Sequence, residues 1–193
     1  GDLDVGDSPY APLQLGRLVG LGPQGWLLGH IHAPRLARQP GRPWVLYAGS
    51  PQALDPGEKG LHGPWVVQLS GSDLGEPEQL PLSSVRYDER EIDLEGVGNE
   101  ADLETVLVDG IREHAETVAE IAGPHLAHVS LRLHLVGSTS VSDRLQEVAQ
   151  QIVADLALTV GNASVSVERI GIETTPLIDL EQYAKTQSAP GVL

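Results

Sequence analysis

The chain has 193 residues and a formal net charge of −15, and it contains no cysteine, methionine or phenylalanine. Its length fits one large domain or two small ones, and the absence of cysteine excludes thiolate zinc sites and disulfides. No run approaches the ~20 apolar residues of a membrane span, so we expect no membrane partner, and the absence of cysteine suits a cytoplasmic protein.

Residues 25–32 read Gly-Trp-Leu-Leu-Gly-His-Ile-His and predict a short apolar strand that leads into two histidines. In extended backbone, side chains two residues apart project from one face, so we expect His30 and His32 to point into one space. Imidazole is the commonest nitrogen donor to divalent metals, and this pair predicts half of a metal site. The alternative is that both histidines form an exposed polar edge or cap turn carbonyls.

A loop rich in proline and arginine follows over residues 34–43. Arg35 and Arg38 lie in it beside the predicted metal site, which makes them candidates for phosphate contact. The alternative is a solvated surface loop. The strongly acidic balance of the chain argues against a nucleic-acid partner, because proteins that bind DNA usually show a basic patch.

The next segments are the apolar run 43–47, a turn at 48–51 and a second apolar run at 64–69. Together with the histidines, this order resembles the calcineurin-like metallophosphoesterases, in particular the DNA-repair exonuclease (SbcD-type) branch. In that branch one strand ends in Gly-His-x-His and the next in Tyr-x-Gly-Ser, and a Glu-x-Gly turn leads into the last strand of the catalytic sandwich. The resemblance covers residues 9–69 and includes Tyr10-Ala11-Pro12-Leu13 and the leucine-rich, helix-like run to Leu21.

The resemblance implies a two-metal phosphodiesterase that usually uses manganese (Mn2+). His30 and His32 would then each bind a different ion, and the two ions would clamp the attacking hydroxide and the scissile phosphate. It also places Ser50 at the border of the active site, where it would meet a phosphate. The alternative for Ser50 is a turn that ends a strand and needs a positive φ at Gly49.

The other ligands of that family lie in Asp-x-His, Gly-Asp-x-x-Asp and Gly-Asn-His-Asp/Glu motifs and in a further histidine. None of these motifs occurs before residue 30. We therefore expect a C-terminal fragment that is catalytically incompetent alone. The resemblance further implies DNA and an SMC-like ATPase (SbcC-type) as partners of the full-length protein, and related nucleases often form homodimers.

Residues 70–84 combine turn formers and acids and predict a linker between two domains. The first, at 1–80, would be the C-terminal part of the metallophosphoesterase domain that the resemblance implies, and the second, at 81–193, a capping or DNA-positioning domain. The second part predicts a β-α-β-α-β order: a strand at 85–94, a helix at 101–122, a strand at 129–135, a helix capped by Ser142 or Asp143, and a strand at about 165–172. This order indicates a small sheet with two helices on one face, and an α/β (α+β) fold class for the chain. Arg90 and Arg132 are candidates for DNA contact on the opposite face.

Two other side chains receive ordinary interpretations. His62 is interpreted as a surface residue in a glycine turn, and Glu58 as a residue that holds a turn or pairs with a lysine or arginine. Three classes of function follow: part of a manganese-dependent DNA exonuclease, a non-catalytic protein-interaction module, or a phosphoesterase of the same superfamily that acts on nucleotides or phosphoproteins.

Overall fold

The computed structural model describes residues 14–18, 20–38 and 40–177. These residues form two compact units that interleave along the chain. The first unit holds the described residues up to Asp88 together with Ala115–Ser130 and Thr159–Val165, and the second holds Glu89–His114, Leu131–Leu158 and the described residues from Ser166 onward. Several small sheets combine with few helices, which confirms the mixed α+β class. Within the described ranges no helix is long and apolar enough to cross a membrane.

A three-stranded sheet carries the histidine motif in the first unit. A short helix, α1 (Leu15–Leu18), precedes it, and its strands are β1 (Gly25–Leu28), β2 (Arg35–Ala37) and β3 (Trp44–Tyr47). The central strand β3 pairs parallel with β1 and antiparallel with β2. All four β3 residues are buried, which explains why this segment reads as an uninterrupted apolar run. One face forms a cluster of Leu18, Val45 and Tyr47 with Trp26, Leu28, Ile31 and Ala37.

The predicted apolar strand at 64–69 is wrong in its extent. The structure has two separate two-residue strands here, β4 (Trp65–Val66) and β5 (Leu69–Ser70). The strand β5 pairs with β6 (Asp73–Leu74) across a tight turn at Gly71, whose φ of 62° is readily adopted only by glycine. The strand β4 pairs with β7 (Glu78–Gln79). The apolar run is therefore divided between two pairings: its start pairs with β7, and its end pairs with β6.

The second sheet contains β8 (Val85–Asp93), β9 (His128–Thr139), β10 (Leu158–Val160) and β11 (Ala163–Pro176), in the order β10-β11-β9-β8. The helices α2 (Glu100–Ala122) and α3 (Leu145–Ala154) lie between strands in the chain order. The predicted β-α-β-α-β order is confirmed, with the short strand β10 added. The predicted cap of α3 is wrong: a 3-10 turn at Ser142–Arg144 leads directly into α3 and makes no side-chain cap.

Residues next to each end of α2 determine where the helix begins and ends. The side chain of Asn99 accepts a hydrogen bond from the backbone N–H of Asp102 at 2.9 Å, which caps the helix start. Gly123, with a φ of 75°, ends the helix in the left-handed conformation that favours glycine. The apolar stripe of the helix is fully buried at Leu103, Leu107 and Ile111. The tertiary structure thus satisfies the helix ends and covers the stripe that the periodicity predicts.

Candidate metal centre

The two histidines of the Gly-His-x-His motif lie just beyond β1, which ends at Leu28. His30 has a φ of 84°, and it is the one residue other than glycine with positive φ in the described part of the chain. The alternation of an extended strand therefore does not govern His30 and His32, and that part of the prediction is wrong. A positive φ raises the conformational energy of a residue that has a Cβ atom. Residues with such backbone conformations are found preferentially at functional sites.

His32 is held by a buried carboxylate. Its Nδ1 lies 2.6 Å from Oε1 of Glu58, and Glu58 is buried while the His32 side chain is 63% exposed. Local sequence patterns do not predict this contact, because the two residues are 26 positions apart. The contact joins the histidine motif to the Glu-x-Gly turn, so the fold brings two of the motifs into one cluster.

Glu58 accepts hydrogen bonds on both carboxylate oxygens. Its Oε2 accepts from the Ser50 hydroxyl at 2.7 Å and from the Leu54 backbone N–H at 3.0 Å. The pKa of Glu58 falls from 4.5 to about 2, first because Ser50 donates to it, and then because Leu54 and His32 do so as well; burial opposes the shift. The buried group is therefore a carboxylate at neutral pH.

The charge on Glu58 determines the tautomer of His32. A carboxylate can only accept, so Nδ1 of His32 carries the ring hydrogen, and the neutral ring keeps its lone pair on Nε2. Histidines that bind metals usually donate their other ring N–H to a carboxylate, which orients the ring and raises its basicity. His32 therefore has the tautomer and the support that a metal ligand needs.

Ser50 and Gly49 attach this cluster to the end of β3. The backbone N–H of Ser50 donates to the carbonyl of His32 at 2.8 Å. Gly49 has a φ of 72°, and a Cβ there would lie 2.5 Å from the same carbonyl oxygen. The Ser50 hydroxyl has a single hydrogen, and Glu58 Oε2 is its shortest acceptor. The predicted turn at 48–51 thus acts first as the support of Glu58 and His32.

The side chains at this site could supply some of the ligands of a metal ion. His30 and His32 offer imidazole nitrogens, and the Glu58 contact gives His32 the arrangement typical of a ligand. In the ranges that the structure describes, no group of three or more histidine, cysteine, aspartate or glutamate residues is placed to hold an ion. A complete site would therefore need further ligands in addition to this pair.

The predicted phosphate-binding arginines mostly face acidic partners. Arg38 pairs with Glu76 at 2.9 Å, Arg90 with Glu113 at 3.4 Å, and Arg132 makes two contacts of 3.2 and 3.3 Å to Glu168. Arg35 begins β2 and is exposed, and no acid pairs with it among the described residues. Exposed pairs of this kind contribute about 0–1 kcal/mol, so they do not prevent phosphate contact, but they leave little net positive charge.

Sequence reasoning missed the burial of His62 and the side-chain partners of Glu58. His62, interpreted as a surface residue, is 1% exposed, and its Nδ1 donates to the Ser50 carbonyl at 2.8 Å. Glu58 holds the turn, one of its two predicted roles, by accepting from the Leu54 backbone N–H, but its side-chain partners are His32 and Ser50 and not a lysine or arginine. A usable signal existed in the sequence: Glu58 is an acid just before a glycine turn, in a segment that follows the apolar run of β3.

The strained backbone of His30 leads to a testable prediction. We expect His30→Gly to be about 1 kcal/mol more stable than His30→Ala, because glycine adopts a φ of 84° without strain. Both variants should lose metal affinity equally, because both remove the imidazole. Urea unfolding and calorimetric titration with Mn2+ measure the two quantities. At His32, whose φ is not positive, the alanine variant should be the more stable one, and the same order at both positions would contradict the prediction.

One comparison with known proteins bears on the class of this protein. Residues 87–175, just under half of the chain, match the family model described as "Metallophosphoesterase YhaO, middle domain". The match supports a metallophosphoesterase family, and with it the phosphoester hydrolase superfamily, whose members use divalent metals. No curated protein and no solved structure matches the chain.

Proposed function

We propose that this chain supplies the distal strands, the histidine pair and the capping domain of a manganese-dependent phosphodiesterase of the DNA-repair exonuclease (SbcD-type) branch. The observation that carries the proposal is the 2.6 Å contact from Nδ1 of His32 to the buried carboxylate of Glu58. The motif resemblance over residues 9–69 and the family match over residues 87–175 fall on separate segments and support the same superfamily. Each segment therefore adds independent support.

In this proposal the residues have distinct roles. His30 and His32 hold divalent ions, Glu58 keeps Nδ1 of His32 protonated, and Ser50 and Leu54 keep Glu58 in place. Bound divalent ions would supply Lewis-acid activation of the phosphodiester. Arg35, exposed at the start of β2, contacts a substrate phosphate as a bidentate donor. The ligands that complete the site come from residues other than the described ones.

The partners of the proposed enzyme are DNA and an SMC-like ATPase, with a homodimer as the expected assembly and the cytoplasm as its compartment. The sheet face that carries Arg132 is the proposed DNA-positioning surface of the capping domain. Its two contacts to Glu168 hold the guanidinium, and a DNA phosphate would have to compete with that carboxylate. We therefore expect DNA binding by this face to be weak and strongly dependent on salt.

The test of the function is a nuclease assay on the protein made from its complete gene. We expect Mn2+-dependent hydrolysis of linear duplex DNA that chelation abolishes. His32→Ala should lower kcat/KM by more than about 100-fold, because loss of a ligand exceeds the loss of its supporting contact. His125→Ala, at an exposed loop histidine, is the matched control and should leave the activity unchanged. Cleavage that persists after chelation and in His32→Ala would contradict the proposal.

A second candidate is a phosphoesterase that acts on nucleotides or phosphoproteins. The observation that favours it is electrostatic: the net charge is −15, and three of the four arginines expected to contact phosphate pair with acids. A panel of small phosphodiesters and phosphopeptides distinguishes the two. Metal-dependent hydrolysis of the panel without cleavage of duplex DNA would support this second activity.

Equal Mn2+ affinity of the native protein and His30→Ala, with no hydrolysis at all, would instead indicate a non-catalytic interaction module.

A further inference from the structure

A small cavity in the first unit is lined by His62, whose ring contacts the carbonyl of Ser50. It has a volume of about 10 Å³, close to the roughly 10–15 Å³ at which a cavity can first hold one water molecule. Its walls combine apolar groups with three side chains that form hydrogen bonds: the lining residues are Gly60, Leu61, His62, Pro81, Ser83, Arg86, Ala122 and Leu126. A cavity of this size with polar walls differs from the dry apolar voids that proteins leave empty.

His62 lines this cavity and carries an acceptor without a partner within the described ranges. Its Nδ1 lies 2.8 Å from the Ser50 carbonyl, and a carbonyl only accepts, so Nδ1 carries the hydrogen. In the neutral ring Nε2 therefore carries a lone pair. His62 is 1% exposed, and Nε2 is buried with no hydrogen-bond partner among the described residues. Buried polar atoms are nearly always satisfied, so this nitrogen requires a donor.

Arg86 presents the complementary donor. Its Nε and Nη2 bond Oδ2 of Asp88 at 3.1 and 2.8 Å, which fixes the guanidinium plane. Its Nη1 is buried and has no partner in the described part of the chain. Ser83, also on the wall, donates its hydroxyl hydrogen to the Val85 carbonyl at 2.7 Å and keeps its oxygen lone pairs for a further donor. The cavity therefore offers one unsatisfied donor, one unsatisfied acceptor and a further acceptor.

We propose that the cavity binds a single water molecule that accepts a hydrogen bond from Arg86 Nη1 and donates to His62 Nε2 and Ser83 Oγ. Water is the ligand whose own donors and acceptors complement all three groups, and three bonds is the usual number for a buried water molecule. A chloride ion, by contrast, would need a protonated His62 and would leave Ser83 Oγ without a donor. The water closes the polar chain that runs from Arg86 through His62 to Ser50.

This inference stands apart from the proposed function, because it rests on hydrogen bonding alone. It accounts for the burial of a histidine at this position, because both ring nitrogens then have partners. His62 supports the Ser50 backbone with Nδ1, and the bound water satisfies the opposite side of the ring. The water molecule is then part of the structure that holds the turn bearing Gly49 and Ser50 in place.

The direct test uses the unmodified protein. A crystal structure at about 1.5 Å resolution should show one ordered water within hydrogen-bond distance of His62 Nε2, Arg86 Nη1 and Ser83 Oγ. Long-range proton–nitrogen NMR correlations should show the His62 tautomer with hydrogen on Nδ1. An empty cavity, or an anomalous signal in the cavity after soaking crystals in bromide, would overturn the proposal.

A pair of valine variants gives an independent test. Ala122 lines the cavity, and Ala119 lies one turn earlier on α2 and does not line it. Ala122→Val would displace the water without replacing its bonds, so its Tm should be about 3–6 °C below that of Ala119→Val. A Tm of Ala122→Val at or above that of Ala119→Val would contradict the bound water. If Ala122→Val fails to fold, the wild-type crystal and NMR measurements still decide the question.

Discussion

Glu58→Gln should weaken metal binding by about 10- to 100-fold, the range measured when the supporting partner of a ligand is removed. Both carboxylate oxygens accept hydrogen bonds, from His32 on one side and from Ser50 and Leu54 on the other. An amide NH2 must therefore face a donor. If it faces His32, Nδ1 becomes the acceptor and the ring hydrogen moves to Nε2, the atom that a metal would need. Titration with Mn2+ and NMR of the His32 tautomer measure the two effects.

The same variant should unfold about 2–3 kcal/mol more easily, because hydrogen bonds to a buried charge are lost. In the native protein the pKa of Glu58 is lowered from 4.5 to about 2, so its contribution is fully present above pH 4.5 and is lost as the pH falls through about 2. Urea unfolding between pH 2 and 6 should show this acid loss in the native protein and much less of it in Glu58→Gln. Glu76→Gln, which changes an exposed acid paired with Arg38, is the control. Equal effects of the two variants would refute the supporting role of Glu58.

Gly49→Ala should be the most damaging single methyl addition at the candidate site. The φ of 72° already strains any residue with a Cβ, and the new Cβ would lie 2.5 Å from the His32 carbonyl oxygen and 2.6 Å from Cγ of Pro34. The backbone contact from Ser50 to His32 would have to shift. We expect a loss of about 3 kcal/mol or more in the free energy of unfolding, together with reduced metal affinity.

Gly41→Ala separates the two causes, because Gly41 has a nearly identical φ of 67° but no atom within 4 Å of its Cβ position. This variant should lose only about 1 kcal/mol, the cost of the backbone conformation. The difference between the two variants then measures the steric contact with the His32 loop. Urea unfolding of both proteins supplies the numbers, and a difference near zero would show that the loop yields without cost.

Periodicity predicted most of the second sheet and its helices, because their signals are local. The alternation from Val129 to Leu135 gives a strand whose alternate residues Leu131, Leu133 and Leu135 are fully buried. The stripe lies within α2, and the glycine that ends the helix follows its last residue directly. The short strands β4 to β7 were not predicted as such, because two-residue strands carry no period and are defined by their partners.

The sequence by itself determined the fold class and the presence of a Gly-His-x-His motif, because both follow from residue order and apolar patterning. Only the tertiary structure decided what surrounds the motif. The contacts of Glu58 to His32 and of His62 to Ser50 span 26 and 12 residues and join loops with no shared period. The lowered pKa of Glu58, the tautomer of His32 and the burial of His62 all depend on those contacts. They arise when the chain folds and brings distant side chains together, and local sequence carries little information about that proximity.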